Sequence, residues 1–188
     1  MKLFIKNMVC PRCIMVIQRA LDELHITAKS VELGVVALEK PLSELQMEQL
    51  TTHLEALGFE ILNDPKHRQV EEIKSWLIKV LREEKLAPHF SVKKYLSANI
   101  CKEYSYLSKL FSEKEGITIE QYFILLKLEK VKEFLSYGEL SLGEIAWTLG
   151  YSSVQHLSSQ FKKAFGISAR EFKGALVFKR KAIDQVGI

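Results

Sequence analysis

The apolar positions of the chain change period about one third of the way along it. Residues 2–7 alternate as a strand does, and from Cys13 to Leu24 the residues Ile14, Ile17, Leu21 and Leu24 recur at helical spacing. Residues 28–39 then read as a tight hairpin, Lys29-Ser30-Val31-Glu32 and Val35-Val36-Ala37-Leu38-Glu39 about a turn at Leu33-Gly34. Pro41 and Ser43 open a second helix with Leu42, Leu45, Leu50, Leu54 and Leu57 on one face, and Gly58 follows its last turn. Phe59-Glu60-Ile61-Leu62 is a final short strand, and Asn63-Asp64-Pro65 breaks the pattern. The order is β-α-β-β-α-β.

Beyond that break every periodic segment is helical. Val70, Ile73, Leu77, Val80 and Leu81 mark one helix, followed by a breaker at Ala87-Pro88-His89. Ser91 caps a short helix through Ile100, residues 104–114 form the next, and Gly116 ends it. A long helix runs from about Ile119 to Tyr137. Capping boxes at Ser141/Glu144 and Ser152/Gln155 start two more helices, which end at Gly150 and Gly166. A last helix covers roughly Ala169 to Phe178. The fold class expected is α+β: a ferredoxin-like domain over 1–64, a linker over 65–69, an all-α tandem helix-turn-helix domain over 70–178, and a basic tail over 179–188.

Charge sharpens this division. The chain of 188 residues carries a net +4, but residues 1–65 sum to −3 and residues 66–188 to +7. A basic second module suits a polyanionic partner. No apolar run approaches the ~20 residues of a membrane-spanning helix, and the N-terminus has no signal-peptide core. The expectation is a cytoplasmic protein without membrane contact. With three cysteines, two of them close together, the chain is no disulfide scaffold; such spacing reads as metal or redox chemistry. No Ser/His/Asp set, framed carboxylate pair or phosphate loop is present, so an enzyme is not expected.

Helix-turn-helix occurs twice, at about 91–113 and 141–165. The intervening helix, about 28 Å at 1.5 Å per residue, approaches the ~34 Å of one DNA turn. Ile145-Ala146, Gly150-Tyr151, Ser153, His156-Leu157, Phe161-Lys162-Lys163, Gly166, Ser168 and Phe172, with Leu107 to Phe111 and Gly116, resemble the AraC/XylS transcription regulators over residues 68–174. Ala169 stands where that family usually has Pro, Lys173 where it often has Arg, and Cys101 where the first turn often has Gly. The resemblance implies a bacterial-type DNA-binding regulator whose second helices face the major groove. Ser105, Ser108 and Lys109 in the first unit, and Gln155, His156 and Ser159 in the second, are then the candidates for base contact. Lys162, Lys163, Arg170 and Lys173 suit phosphates. Tyr104 and Tyr106 flank the first of these helices, with DNA contact and core packing equally open. Double-stranded DNA is the expected partner, RNA polymerase a further one, and a homodimer is preferred.

Met8-Val9-Cys10-Pro11-Arg12-Cys13 lies between the first strand and first helix. Two thiols one helical turn apart can hold one soft ion; Cu(I) accepts two sulfurs, whereas Zn(II) generally takes four N/S ligands. Cys13, at a helix N-terminus, is expected to be acidified. This motif, the element order and Leu57-Gly58-Phe59 resemble the heavy-metal-associated domain, which implies Cys10 and Cys13 as ligands of Cu(I) or another soft metal. It also implies that Met8 packs beneath the loop and Phe59 shields the site. Asn7 replaces the family's usual Gly and Val9 its Thr or Ser. A thiol–disulfide switch, a purely dimerising domain, and a metal-handling or thiol oxidoreductase protein remain alternatives. Cys101 and the single histidines His25, His53, His67 and His89 are expected to be structural or surface residues.

Overall fold

The computed structural model describes residues 1–82, 85–87 and 90–174. The chain divides into two compact units, Met1–Ser75 and a second beginning at Trp76. Pro88, His89, the expected end of the last helix after Gly174 and the basic tail lie outside the described residues. Among the described residues no helix is long and apolar enough to cross a membrane.

The first unit runs β1 (Lys2–Lys6), α1 (Pro11–Glu23), β2 (Ala28–Glu32), β3 (Val35–Leu38), α2 (Glu44–Ala56) and β4 (Glu60–Ile61). The strands form one sheet in the order β2-β3-β1-β4. Neighbours are antiparallel, with Leu3 opposite Val36 and Ile5 opposite Ile61. Alternation sends Leu3 and Ile5 to one face of β1. There they join Val36 and Leu38 of β3, Ile17 and Leu21 of α1, and Leu50 and Leu54 of α2 in one buried core. Leu45 and Leu57 do not join it: they are 64% and 46% exposed. At 3.6 residues per turn Leu45 lies about 140° around the helix from Leu50, and Leu57 is already the residue that caps the helix end.

Residues 65–69 are not a linker. They are the first turn of α3 (Pro65–Arg82). Pro65 starts that helix, since its fixed φ and missing N–H suit the first helical position. Asp64 precedes it, its side chain accepting from the Lys66 amide at 3.0 Å and its carbonyl from the Arg68 amide. The part of α3 up to Ser75 covers the second face of the sheet. Arg68 sits over the Phe4 ring at 5.3 Å and donates to the carbonyls of Leu62 and Asn63. Ser75 lies against the hairpin turn, where a Cβ added to Gly34 would fall 2.8 Å from its Oγ.

The second unit contains α4 (Val92–Asn99), α5 (Tyr104–Glu115), α6 (Ile119–Tyr137), α7 (Leu142–Thr148), α8 (Val154–Phe165) and α9 (Ala169–Gly174). Side-chain caps set the starts: Ser91, Thr118 and Ser141 each accept from the amide three residues on, and Thr118/Gln121 and Ser141/Glu144 are full capping boxes. The cap of α8 is Ser153, one residue later than expected, and Ser152/Gln155 form no capping box. Gly150, at φ +65°, turns α7 into α8 where a Cβ would meet Ala87 O at 3.1 Å and Leu86 Cβ at 3.2 Å.

Helix α6 packs against α4, α5, α8 and α9. Being enclosed, it carries buried residues around much of its circumference, among them Tyr122, Leu126, Leu128, Val131 and Leu135. Two of its polar residues are buried with them. Lys132 Nζ contacts Glu129 Oε1 at 2.6 Å and lies 4.5 Å from the centre of the Phe165 ring. A third, Lys127, donates a long hydrogen bond to Leu149 O at 3.4 Å and sits over the Tyr151 ring at 3.8 Å. Burial lowers its pKa from 10.5 to about 8.

These cations can be tested by unfolding. Lys132→Met leaves Glu129 buried without its partner and should cost about 3–5 kcal/mol. Adding Glu129→Leu should recover most of that loss in urea unfolding. Lys127 holds fewer protons folded than unfolded between pH 8 and 10.5, so its penalty on stability is greatest below pH 8 and fades as pH rises through that window. Wild-type stability should therefore rise relative to Lys127→Met between pH 8 and 10.5. A constant difference across that range would remove the argument.

Candidate nucleic-acid interface and thiol pair

In α5, Leu107, Leu110 and Phe111 are buried. Their spacing turns Ser105, Tyr106 and Lys109 to solvent, with Ser108 half-buried at the edge. Ser105, Ser108 and Lys109 therefore share one accessible stretch of helix. The two tyrosines separate: the Tyr104 hydroxyl donates to the Glu120 carboxylate of α6, while Tyr106 is 47% exposed. Tyr106 is thus the aromatic available to a partner. Its place within a Ser-rich turn gave the sequence no means to choose between them.

In α8, Leu157 and Phe161 are buried. Gln155, His156 and Ser159 are exposed on the opposite side, followed by Lys162 and Lys163 in the last turn. His156 is held more tightly than a free contact residue. Its Nδ1 lies 3.1 Å from Ser152 Oγ, its Nε2 lies 3.1 Å from Gln160 Nε2, and its ring meets Tyr151 edge-on at 5.4 Å. With the Gln160 amide donating to Nε2, Nδ1 carries the proton and donates to Ser152. Both nitrogens are then in use, which leaves Gln155 and Ser159 as the unencumbered polar groups of this face. Arg170 and Lys173 are exposed on α9, whose first turn is fixed by reciprocal bonds between Ser168 and Glu171.

The cysteine pair is built by the end of β1 and the start of α1. Asn7 has φ +71°, a conformation that favours Gly and that Asn tolerates better than most residues. Its side chain donates to Gly58 O at 2.9 Å, tying the loop to the end of α2. Met8 and Phe59 are buried in the core. Cys10 is the N-cap of α1, Pro11 the first helical residue, and the Cys13 amide donates to Cys10 O at 2.8 Å. The two sulfurs lie 3.3 Å apart, and Cys13 Sγ is 3.8 Å from Asn7 O.

The acidities are the reverse of those expected. Burial pushes the Cys13 thiol up, and its contact with Cys10 adds to this. Burial also opposes ionisation of Cys10, but hydrogen bonds from Cys13 and Arg12 outweigh it and hold that thiol below its ordinary value. Cys10, at the cap, accepts the bonds that Cys13, a turn further in, helps to provide. Arg12, beside the two thiols, thereby favours a thiolate. Among the described residues no cluster of three or more His, Cys, Asp or Glu could hold a metal ion. The donor set offered is therefore two sulfurs, which fits a soft ion of low coordination number and not a four-ligand zinc centre.

Cys101, expected to be structural, is exposed in the turn between α4 and α5. His53 reaches Glu23 at 3.4 Å and His67 reaches Asp64 at 2.8 Å, both on the surface. His25 occupies a positive-φ position after α1.

Comparison with known proteins bears on the second unit. Residues 96–175 match the family model described as "Helix-turn-helix domain". The chain is 39% identical over 69 residues to the xylose operon regulatory protein of Escherichia coli K12, covering 37% of this chain and 18% of that protein. It is 31% identical over 67 residues to the HTH-type transcriptional activator RhaS of Escherichia coli O1:K1, covering 36% of this chain and 24% of that protein. The chain thus spans about a fifth of the length of these curated relatives, which are transcription regulators and not enzymes. The C-terminal domain of AraT, a response regulator from Geobacillus stearothermophilus, shares the fold at a TM-score of 0.50 and 22% identity, over 63% of this chain and 93% of that one. Residues 96–175, which carry the two helix-turn-helix units and the buried helix that joins them, thus match a helix-turn-helix domain, and the chain is similar over a stretch of this size to transcription regulators.

Proposed function

We propose that the protein is a sequence-specific DNA-binding transcription regulator acting in the cytoplasm. The observation that carries this reading is the pair of exposed polar faces on α5 and α8, each opposite a buried apolar stripe. Ser105, Ser108 and Lys109 read one major-groove segment, and Gln155 and Ser159 the next, with His156 contributing when it releases one of its internal bonds. Gln pairs with adenine and Lys with guanine. Lys162, Lys163, Arg170 and Lys173 hold phosphates and fix the register. Double-stranded DNA is the partner, with a homodimer supplying a second DNA-binding half and RNA polymerase the onward contact.

Lys162→Ala/Lys163→Ala should weaken binding across all sequences. It should also flatten the slope of log K against log salt by about 0.9 for each phosphate that the variant no longer neutralises. Gln155→Ala should instead relax discrimination at one base pair, by about 1–3 kcal/mol. A fluorescence-anisotropy titration against selected and scrambled duplexes separates the two effects. Unchanged affinity in both variants would reject the interface.

We infer further that the first unit is a ferredoxin-like, heavy-metal-associated domain whose Cys10 and Cys13 hold Cu(I) or another soft ion. The strand order β2-β3-β1-β4 and the paired thiols support this reading. Arg12 stabilises the Cys10 thiolate, and Asn7 supplies both the strained turn and its tether. Metal binding would alter operator affinity only through a difference in affinity for two states of the protein. Reduced protein should compete with a chromogenic Cu(I) chelator at one ion per chain, and Cys10→Ser/Cys13→Ser should abolish that competition. Equal competition by both forms would dismiss the site. A second reading, a thiol–disulfide switch, is favoured by the unequal acidity of two sulfurs in contact.

A further inference from the structure

The second unit encloses a cavity of about 320 Å³ between the start of α6 and the turn leading into α8. Leu86, Phe90, Phe123 and Ile124 give it an apolar wall. Lys127 lines it as well and forms no ion pair among the described residues; its contacts are one carbonyl and two aromatic rings. Tyr151 lines it and is 8% exposed, and its buried hydroxyl has no hydrogen-bond partner among the described residues. Ser152 and His156 stand at its rim. Glu120 is the acidic group present, and it is engaged by the Tyr104 hydroxyl.

A half-buried ammonium that faces apolar walls and has no anion beside it among the described residues is costly to maintain. Apolar walls with a few convergent polar groups are the usual make-up of a small-molecule site, and the volume lies at the lower end of that class. We propose that this cavity binds a small monocarboxylate with an apolar body, an aromatic or short aliphatic acid. Its carboxylate takes a charge-assisted bond from Lys127. Its body lies against Phe90, Phe123 and Ile124. The lowered pKa of Lys127 agrees with a cation that lacks its counter-ion. Nucleic-acid phosphate fits less well, because Lys127 is largely withdrawn from solvent and the walls are apolar. This inference is independent of the DNA-binding reading, since the site needs no DNA.

The test is isothermal titration of the full chain, free of DNA, with benzoate and octanoate, and with benzyl alcohol as the neutral control. The expected result is saturable one-to-one binding of an acid, at least tenfold weaker for Lys127→Met and largely retained by Lys127→Arg. No saturable binding of either acid overturns the proposal, as does equal binding by wild type and Lys127→Met. If Lys127→Met does not fold, amide chemical-shift changes in the wild type decide. Changes centred on Lys127 and Tyr151 support the site, and changes elsewhere refute it. Engagement of Lys127 by inorganic phosphate or a duplex, with no response to benzoate, would make it a backbone-phosphate contact and the carboxylate assignment false.

Discussion

Helix α6 has almost no side that water can reach freely. α4 and α5 pack on it from one helix-turn-helix unit, α8 from the other, and α9 from beyond that. Its residues must therefore be apolar nearly all round, and any charge among them has to find compensation inside the protein. Lys132 finds it in Glu129 and the Phe165 ring, while Lys127 finds it in Leu149 O and the ring of Tyr151. Each compensation ties α6 to a neighbour, because the partners of both lysines include groups on or beside α8. The exposed polar faces of α5 and α8 keep their positions because the helix between them is pinned along its length.

The same enclosure explains why so much of this unit is legible in the sequence. A helix buried on many sides has a dense apolar pattern, and capped starts and glycine stops bracket it at Thr118 and Gly138. Ser91, Gly116 and Ser141 are equally plain, since each uses a local bond requiring only its own neighbours. The cap of α8 shows the limit of such signals. Ser152 and Ser153 are adjacent and chemically alike, and it is Ser153 whose extended backbone lets its oxygen reach the His156 amide. That one-residue difference frees Ser152 to hold the His156 ring, and so changes what His156 can offer a partner.

In the first unit alternation and helical spacing carry the element order, and the structure supplies the antiparallel sheet. The positions that differ have particular causes. Pro65 both stops one pattern and begins another, so a helix start resembles a linker. The relative acidity of Cys10 and Cys13 depends on which thiol is the cap and on the Arg12 hydrogen bonds, and neither follows from a four-residue spacing. Lys127 and Tyr151 carry no signal of their own, because a lysine in a helix and a tyrosine after a glycine are ordinary until burial is known. The proposed soft-ion ligands and base-reading residues rest on residue type and spacing.

Covering of the sheet by α3 has a consequence for how the first unit would be isolated. Its own strands and two helices end by Leu62, which invites a fragment cut at the Asn63-Asp64-Pro65 break. Such a fragment would bare the ring of Phe4, remove the two carbonyl bonds made by Arg68, and uncover the hairpin turn now resting on Ser75. The freed apolar face would invite self-association, and a dimer of that fragment would be a product of the cut. A faithful excision carries the chain through Ser75.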